Sequence, residues 1–248
     1  MFLIDLNLRK FIPLGVVLKS VLVLFVCACI CFSCLKELYS ESMAVLSVSS
    51  IPISKSVIID AGHGGEDSGA VGVNGVLEKD INLSVSFFLG EFFASQGYTV
   101  IFTRTEDRLL YKPEENIKGI RKISDLKNRC VIANDNPDAI LISIHMNSFS
   151  SEKYSGLQVY YSSNEGSYAL ADYIQKSVSS DIQPSNNRKI KNGDNLYILK
   201  NTNNVGVLIE CGFLTNPEEC QKLSEKEYQK QLSFSIFCGI INYNENKS

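Results

Sequence analysis

From residue 57 onward the chain alternates short, continuous apolar runs with stretches whose apolar positions recur at helical spacing, the pattern of strands interleaved with helices. Val57-Ile-Ile-Asp-Ala-Gly-His-Gly-Gly65 opens the series, and a β-branched run bounded by glycines predicts a strand buried on both faces, as in a parallel sheet. The segment from Gly64 to Gly75 is glycine-rich and predicts a loop. A helix is expected from Glu78 to about Gln96, with Ile81, Val85, Phe88 and Phe92 on one face, broadened by Leu89 and Phe93. Gly97 ends it and Tyr98 to Thr103 is the next strand; a strand-helix-strand unit of this kind implies a right-handed crossover and parallel pairing. Further on, the pattern predicts a helix from Ser124 to Asn134, strands from Ala139 to His145 and Leu157 to Tyr161, and a helix from Ser167 to Ser179 carrying Leu170, Ile174 and Val178. Leu196 to Leu199 and Val205 to Cys211 read as closing strands, and Glu225 to Tyr243 as a last helix with Leu232, Ile236 and Ile240 inward. The fold expected is α/β, a three-layer, twisted, mostly parallel sheet flanked by helices on both faces and preceded by an N-terminal hydrophobic segment. Two polar connections interrupt it. Residues 104–120 are long for a compact domain, a length that commonly marks function, and Pro184 to Asp194 carries Arg188, Lys189 and Lys191.

Residues 1–34 differ in kind. Arg9 and Lys10 precede a stretch from Phe11 to Cys34 whose only charge is Lys19. The pattern predicts an export signal or a membrane anchor, with the positive flank inside the cell and the domain outside. Val26-Cys27-Ala28-Cys29 and Cys31-Phe32-Ser33-Cys34 loosely resemble a lipobox, which makes a lipidated N-terminus a third option. Residues 35–55 are expected to be a linker and 56–245 a single domain, since 248 residues with 45% hydrophobic content suffice for one sizeable core. The net charge is −3, and it becomes −5 once Arg9, Lys10, Lys19 and Asp5 are set aside, a balance that argues against nucleic acid as the domain's partner. Outside the apolar segment, Cys130, Cys211, Cys220 and Cys238 form no C-x-x-C pair and read as small buried hydrophobes, with a Cys211–Cys220 bridge left open by the expected location.

The chain has two histidines, and each stands at the end of an apolar run: His63 after the first, His145 after Ala139-Ile-Leu-Ile-Ser-Ile. A third run, Gly206-Val-Leu-Ile-Glu-Cys-Gly212, delivers Glu210 at the comparable place. In open α/β sheets ligands gather at the carboxyl ends of the strands, so three polar strand ends imply one shared site. A catalytic zinc site takes three ligands from His, Asp and Glu and leaves a fourth position for water. His63 and His145 supply two; Glu78, at the N-terminus of the helix after the glycine loop, fits as the third, with Glu66, Asp67 and Asp80 as competitors. Glu210 then remains as a general base and acid that takes a proton from water at the metal and hands it to a departing amine, the alternative being a carboxylate tied to Arg104 or Arg129. Asp60 is placed to orient the His63 ring, or else to shape a turn. Arg104 and Arg129 can meet carboxylates of a substrate, as can Arg188, Lys189 and Lys191, while Asn147 and Asn216 can bond a glycan or cap a turn.

The blocks Ile-Ile-Asp-Ala-Gly-His-Gly-Gly65, Leu77-Glu-Lys-Asp-Ile-Asn82, Ser143-Ile-His-Met-Asn147 and Ile209-Glu-Cys-Gly-Phe-Leu-Thr-Asn216, in that order, resemble the zinc-dependent N-acetylmuramoyl-L-alanine amidases of the amidase 3 family over about residues 55–243. The resemblance implies His63, Glu78 and His145 as ligands of one Zn2+ ion, Glu210 as the catalytic glutamate, and the amide between the lactyl group of N-acetylmuramic acid and L-alanine of peptidoglycan as substrate. Small size, an N-terminal hydrophobic segment, no wall-binding repeats and the segment Tyr111 to Arg129 are most similar to the spore-cortex, germination-specific amidases. Those enzymes strip peptide from muramic acid ahead of muramic-δ-lactam formation, and some work with an accessory lipoprotein. No candidate for an inhibitory helix over the site is evident, which points to control by a partner or by expression.

Overall fold

The computed structural model describes residues 56–246 together with seven helical positions between 18 and 36. The expected leader or anchor of residues 1–34 and the linker of 35–55 otherwise lie outside the described residues, among which no helix is long and apolar enough to cross a membrane.

Six strands form one sheet in the order β2-β1-β3-β6-β4-β5: β1 (Ser56–Ala61), β2 (Thr99–Phe102), β3 (Ile140–Asn147), β4 (Gln158–Tyr161), β5 (Lys191–Asn192) and β6 (Gly206–Phe213). β2, β1, β3 and β6 run parallel, and β4 is antiparallel to β6 while pairing in parallel with β5. Side chains of the central strands alternate between two layers. Val57, Ile59, Ile142, Ile144, Val207 and Ile209 face α1 (Glu78–Ser95), α3 (Ser167–Asp181) and α6 (Lys226–Glu245), whose buried stripes include Val85, Leu89, Ile174 and Ile236. Ile58, Leu141 and Leu208 face the other way, onto α2 (Arg121–Asn134) and the single-turn α4 (Tyr197–Lys200). A fully buried Ile or Leu contributes about 1.5–3 kcal/mol, so a one-residue slip of β1, β3 or β6 would exchange two hydrophobic layers at once and is strongly disfavoured.

The expected strand at Leu196 to Leu199 is corrected: Tyr197–Lys200 form one helical turn that buries Ile198 and Leu199 beneath the sheet, and Lys191–Asn192 take the edge. Four apolar residues carry no usable period, so burial alone did not separate strand from helix. An additional helix, α5 (Pro217–Ser224), is started by Asn216, whose side chain accepts from the Glu218 and Glu219 N–H groups, with Pro217 in the first turn. Residues 104–120 are ordered by specific bonds: Asp125 accepts the Leu110 N–H at 2.7 Å, and Asn128 Nδ2 donates to the Leu110 carbonyl at 2.7 Å.

Candidate active site

Parallel pairing brings the C-terminal ends of β1, β3 and β6 to one edge of the sheet, and His145 stands opposite Glu210 in the β3–β6 register. The Gly62 N–H continues the ladder one residue past β1 by donating to the Ile144 carbonyl at 3.1 Å, so His63 follows immediately beyond it. Gly62 is required by a close approach, because a Cβ there would lie 2.2 Å from Cε1 of His145. His63 has φ of 62°, the one positive value among the described non-glycine residues, a conformation that costs of order 1–3 kcal/mol and persists where its surroundings impose it. They do so here: Arg129 Nη2 donates to the His63 carbonyl at 2.7 Å, and Arg104 Nη2 and Asn82 Nδ2 hold the Gly62 carbonyl at 3.0 and 3.1 Å.

Glu78, the first residue of α1, points its Oε1 between the two imidazoles, 3.1 Å from His63 Nε2 and 3.0 Å from His145 Nδ1. The same oxygen accepts the Met146 N–H at 3.1 Å, and Oε2 accepts the Ala70 N–H at 2.7 Å, which folds the glycine loop back onto the helix start. Gly69, at φ of +65°, permits that closure; a Cβ there would sit 2.5 Å from Glu78 Oε2. Burial pushes the Glu78 carboxyl up, but hydrogen bonds from His145 and His63 outweigh it and hold the group well below the usual carboxylate range. Burial pulls His63 down, yet its bonds to Asp67 and Glu78 carry it to about 9. Asp67 Oδ2 lies 2.8 Å from His63 Nδ1 and fixes which ring nitrogen faces Glu78. One donor atom each from His63, Glu78 and His145 lies within 4.8 Å of the others. Two imidazole nitrogens and a carboxylate oxygen, fixed by three separate elements and carrying one negative charge when the rings are neutral, suit a divalent ion of the zinc type.

Glu210 stands beside this triad. Its Oε2 is buried with no hydrogen-bond partner among the described residues. Burial first, and the neighbouring Glu78 charge second, push its carboxyl up to about 6 against the pull of His145, His63 and Arg188. Neither Arg104 nor Arg129 pairs with it, which removes the structural alternative for this residue.

Asp60, Arg104 and Arg129 take places other than those expected. Asp60 does not touch the His63 ring: it is buried and accepts from Arg129 Nη1 at 2.6 Å, Thr103 Oγ1 at 2.8 Å and Ser143 Oγ at 2.6 Å, while Asp67 takes the ring-orienting place. Arg104 and Arg129, expected to meet substrate carboxylates, are 1% and 2% exposed with their donors turned onto backbone carbonyls, Asp60 and Asp125. They clamp the end of β1 instead. Asn216 caps α5 and donates to the Glu152 carbonyl. Asn147 ends β3, its carbonyl accepting from the Leu214 N–H, and its side chain is half-buried. Of the competing carboxylates, Glu66 pairs with Arg121 at 2.8 Å and Asp80 is exposed on the first turn of α1. Cys130, Cys211, Cys220 and Cys238 are free thiols. Sequence reasoning did not assign the ring-holding role of Asp67, although its spacing of four residues from His63 across two glycines is the signal of such a turn.

The fold and these blocks have known counterparts. The germination-specific N-acetylmuramoyl-L-alanine amidase of Bacillus subtilis is 39% identical over 201 residues, covering 78% of this chain and 82% of the relative. Among solved structures, the CwlD amidase of Clostridioides difficile, in complex with the GerS lipoprotein, superposes with a TM-score of 0.74 at 39% identity over 77% of this chain and 98% of that one. The amidase AmiC2 of Nostoc punctiforme superposes with a TM-score of 0.66 at 31% identity, covering 77% and 97%. A family model described as N-acetylmuramoyl-L-alanine amidase, amidase 3, matches residues 57–242, and with these relatives it establishes that the chain belongs to that family.

Proposed function

We propose that this protein hydrolyses the amide joining the lactyl group of N-acetylmuramic acid to L-alanine in peptidoglycan, and that it does so in the maturation of spore cortex, where freed muramic acid is the precursor of the δ-lactam. The observation that carries the reading is the convergence of His63, Glu78 and His145 on one point with the unpartnered carboxylate of Glu210 beside it. His63, Glu78 and His145 would hold a zinc ion, which when bound would supply Lewis acidity for a carbonyl oxygen and for water. Glu210, raised to about 6 and therefore ionised at neutral pH, accepts the proton of the attacking water and returns it to the L-alanine nitrogen as the C–N bond breaks. The lactyl carboxylate and the peptide amine are the products, and no covalent enzyme intermediate is needed. Asp67 keeps the His63 ring in one tautomer, and the buried Arg104 and Arg129 hold the backbone beneath it. Action outside the cytoplasm through an export or anchoring segment, and an accessory lipoprotein partner like the one bound to the C. difficile relative, complete the proposal.

Glu210→Gln tests the assignment, because it keeps the shape and removes the base. Zinc content should match the parent, and turnover on purified peptidoglycan should fall by about 10²–10⁴-fold, the usual contribution of a positioned acid–base group. An unchanged rate takes Glu210 out of the mechanism.

A further inference from the structure

Beyond Glu210, the same edge of the sheet carries an aromatic ledge that the chemistry above does not use. Phe213, three residues further along β6, is stacked by Tyr154 at 6.0 Å with the planes 27° apart, and Phe149 meets Tyr154 edge-on at 4.9 Å. Phe149 and Tyr154 are 53% and 45% exposed, although burial of such rings would be favourable. Their loop is held in place, with the Phe149 N–H on Thr215 Oγ1 at 3.2 Å and the Glu152 carbonyl on Asn216 Nδ2 at 2.8 Å. The ledge is tied to the general base as well: Arg188 lies 4.8 Å over the Phe213 ring and donates to Gln158 Oε1 at 2.6 Å, and Gln158 is the register partner of Glu210.

The loop continues through Ser155 and Gly156 into a cleft of about 340 Å³ whose walls include Gln183, Asn186 and Asn187. Ser155, Ser185 and Asn187 also line it, and their hydroxyl and amide groups bond to none of the described residues. The charged groups at its wall are Glu218, Glu219 and Lys222, so the cleft has no surplus of positive charge for an anionic ligand. A peptide stem rich in carboxylates is a poor match for that wall. A neutral hexose ring is a good one, since its polarised C–H face packs on the negative face of an aromatic ring while its hydroxyls take amide and hydroxyl partners.

We propose that Phe149, Tyr154 and the cleft behind them form a glycan subsite that holds neutral hexosamine units flanking the muramic acid being stripped, an inference that rests on the amidase reading above. The zinc-loaded protein would be assayed on muropeptides of equal peptide stem carried on a disaccharide and on an octasaccharide. The parent enzyme should prefer the longer glycan in kcat/KM by roughly tenfold, the scale of one or two aromatic contacts, with the gain in KM. The double variant Phe149→Ala/Tyr154→Ala should bring that ratio close to one, and Tyr154→Phe should keep it; a ratio is independent of the fraction of protein that is folded. Isothermal titration of Glu210→Gln protein with peptide-free glycan strands reads the subsite without hydrolysis, so failure of the amidase reading would appear separately, as absence of peptide release by the parent enzyme. A preference unaltered by the double variant, or a loss that follows peptide length on a fixed disaccharide, overturns the glycan subsite.

Discussion

Arg129→Met is expected to destabilise the domain by about 3–5 kcal/mol, the penalty for removing one partner of a buried ion pair and leaving the other uncompensated. The guanidinium is 2% exposed and bonds Asp60 at 2.6 Å, Asp125 at 2.8 Å, and the carbonyls of Ala61 and His63 at 2.7 Å each. Methionine fills much of the volume, so the loss isolates the charge and its hydrogen bonds from a cavity effect. For a domain of this size the change corresponds to a fall in Tm of roughly 6–20 °C. The sign of its pH dependence follows from Asp60. Burial raises that carboxyl, but the Arg129 charge and the Ser143 and Thr103 hydroxyls hold it below the usual range, so its contribution is present above the unfolded pKa and lost on acidification. Without Arg129, burial dominates and Asp60 takes up a proton, which makes the deficit smaller at pH 5 than at pH 8. Urea unfolding at both pH values, with Asp60→Asn and the double variant completing a cycle, measures the coupling. A loss under about 1 kcal/mol, or additivity of the two substitutions, would refute the clamp.

Two further outcomes bear on the chemistry. Asp67→Ala should weaken zinc binding by about 10–100-fold while the fold survives, measured by competition with a chromogenic chelator, because His63 Nδ1 loses the carboxylate at 2.8 Å that holds its ring. The pH profile of kcat/KM should fall on the acid side as protonation of Glu210 removes the base, and that limb should be absent from Glu210→Gln; the same acid limb in the variant would contradict the assignment.

How far the sequence exposes this site depends on the range over which each residue is held. His63, His145 and Glu210 are legible because parallel strands are continuous apolar runs whose polar ends stand out. Glu78 is legible only as one of four acidic candidates, since its place depends on Gly69 at positive φ and on the Ala70 N–H closing the loop. Arg104 and Arg129 look like solvent-facing charges in sequence, and their burial follows from partners around β1, such as Ala61 and Gly62, that are distant along the chain. Asp60 is misread for the same reason: its neighbour on the strand face is Arg129, not the imidazole three residues on. The short run at Leu196 illustrates the limit of periodicity, where four apolar residues turn as a helix under the sheet.

The most direct test of the central claim is end-group analysis of purified cortex peptidoglycan digested by the zinc-loaded protein. The account predicts new amino termini on L-alanine alone, matched by unsubstituted muramic acid, with release abolished by chelation and restored by one zinc ion per chain. New amino termini on another stem residue, or L-alanine release indifferent to metal removal, would contradict it.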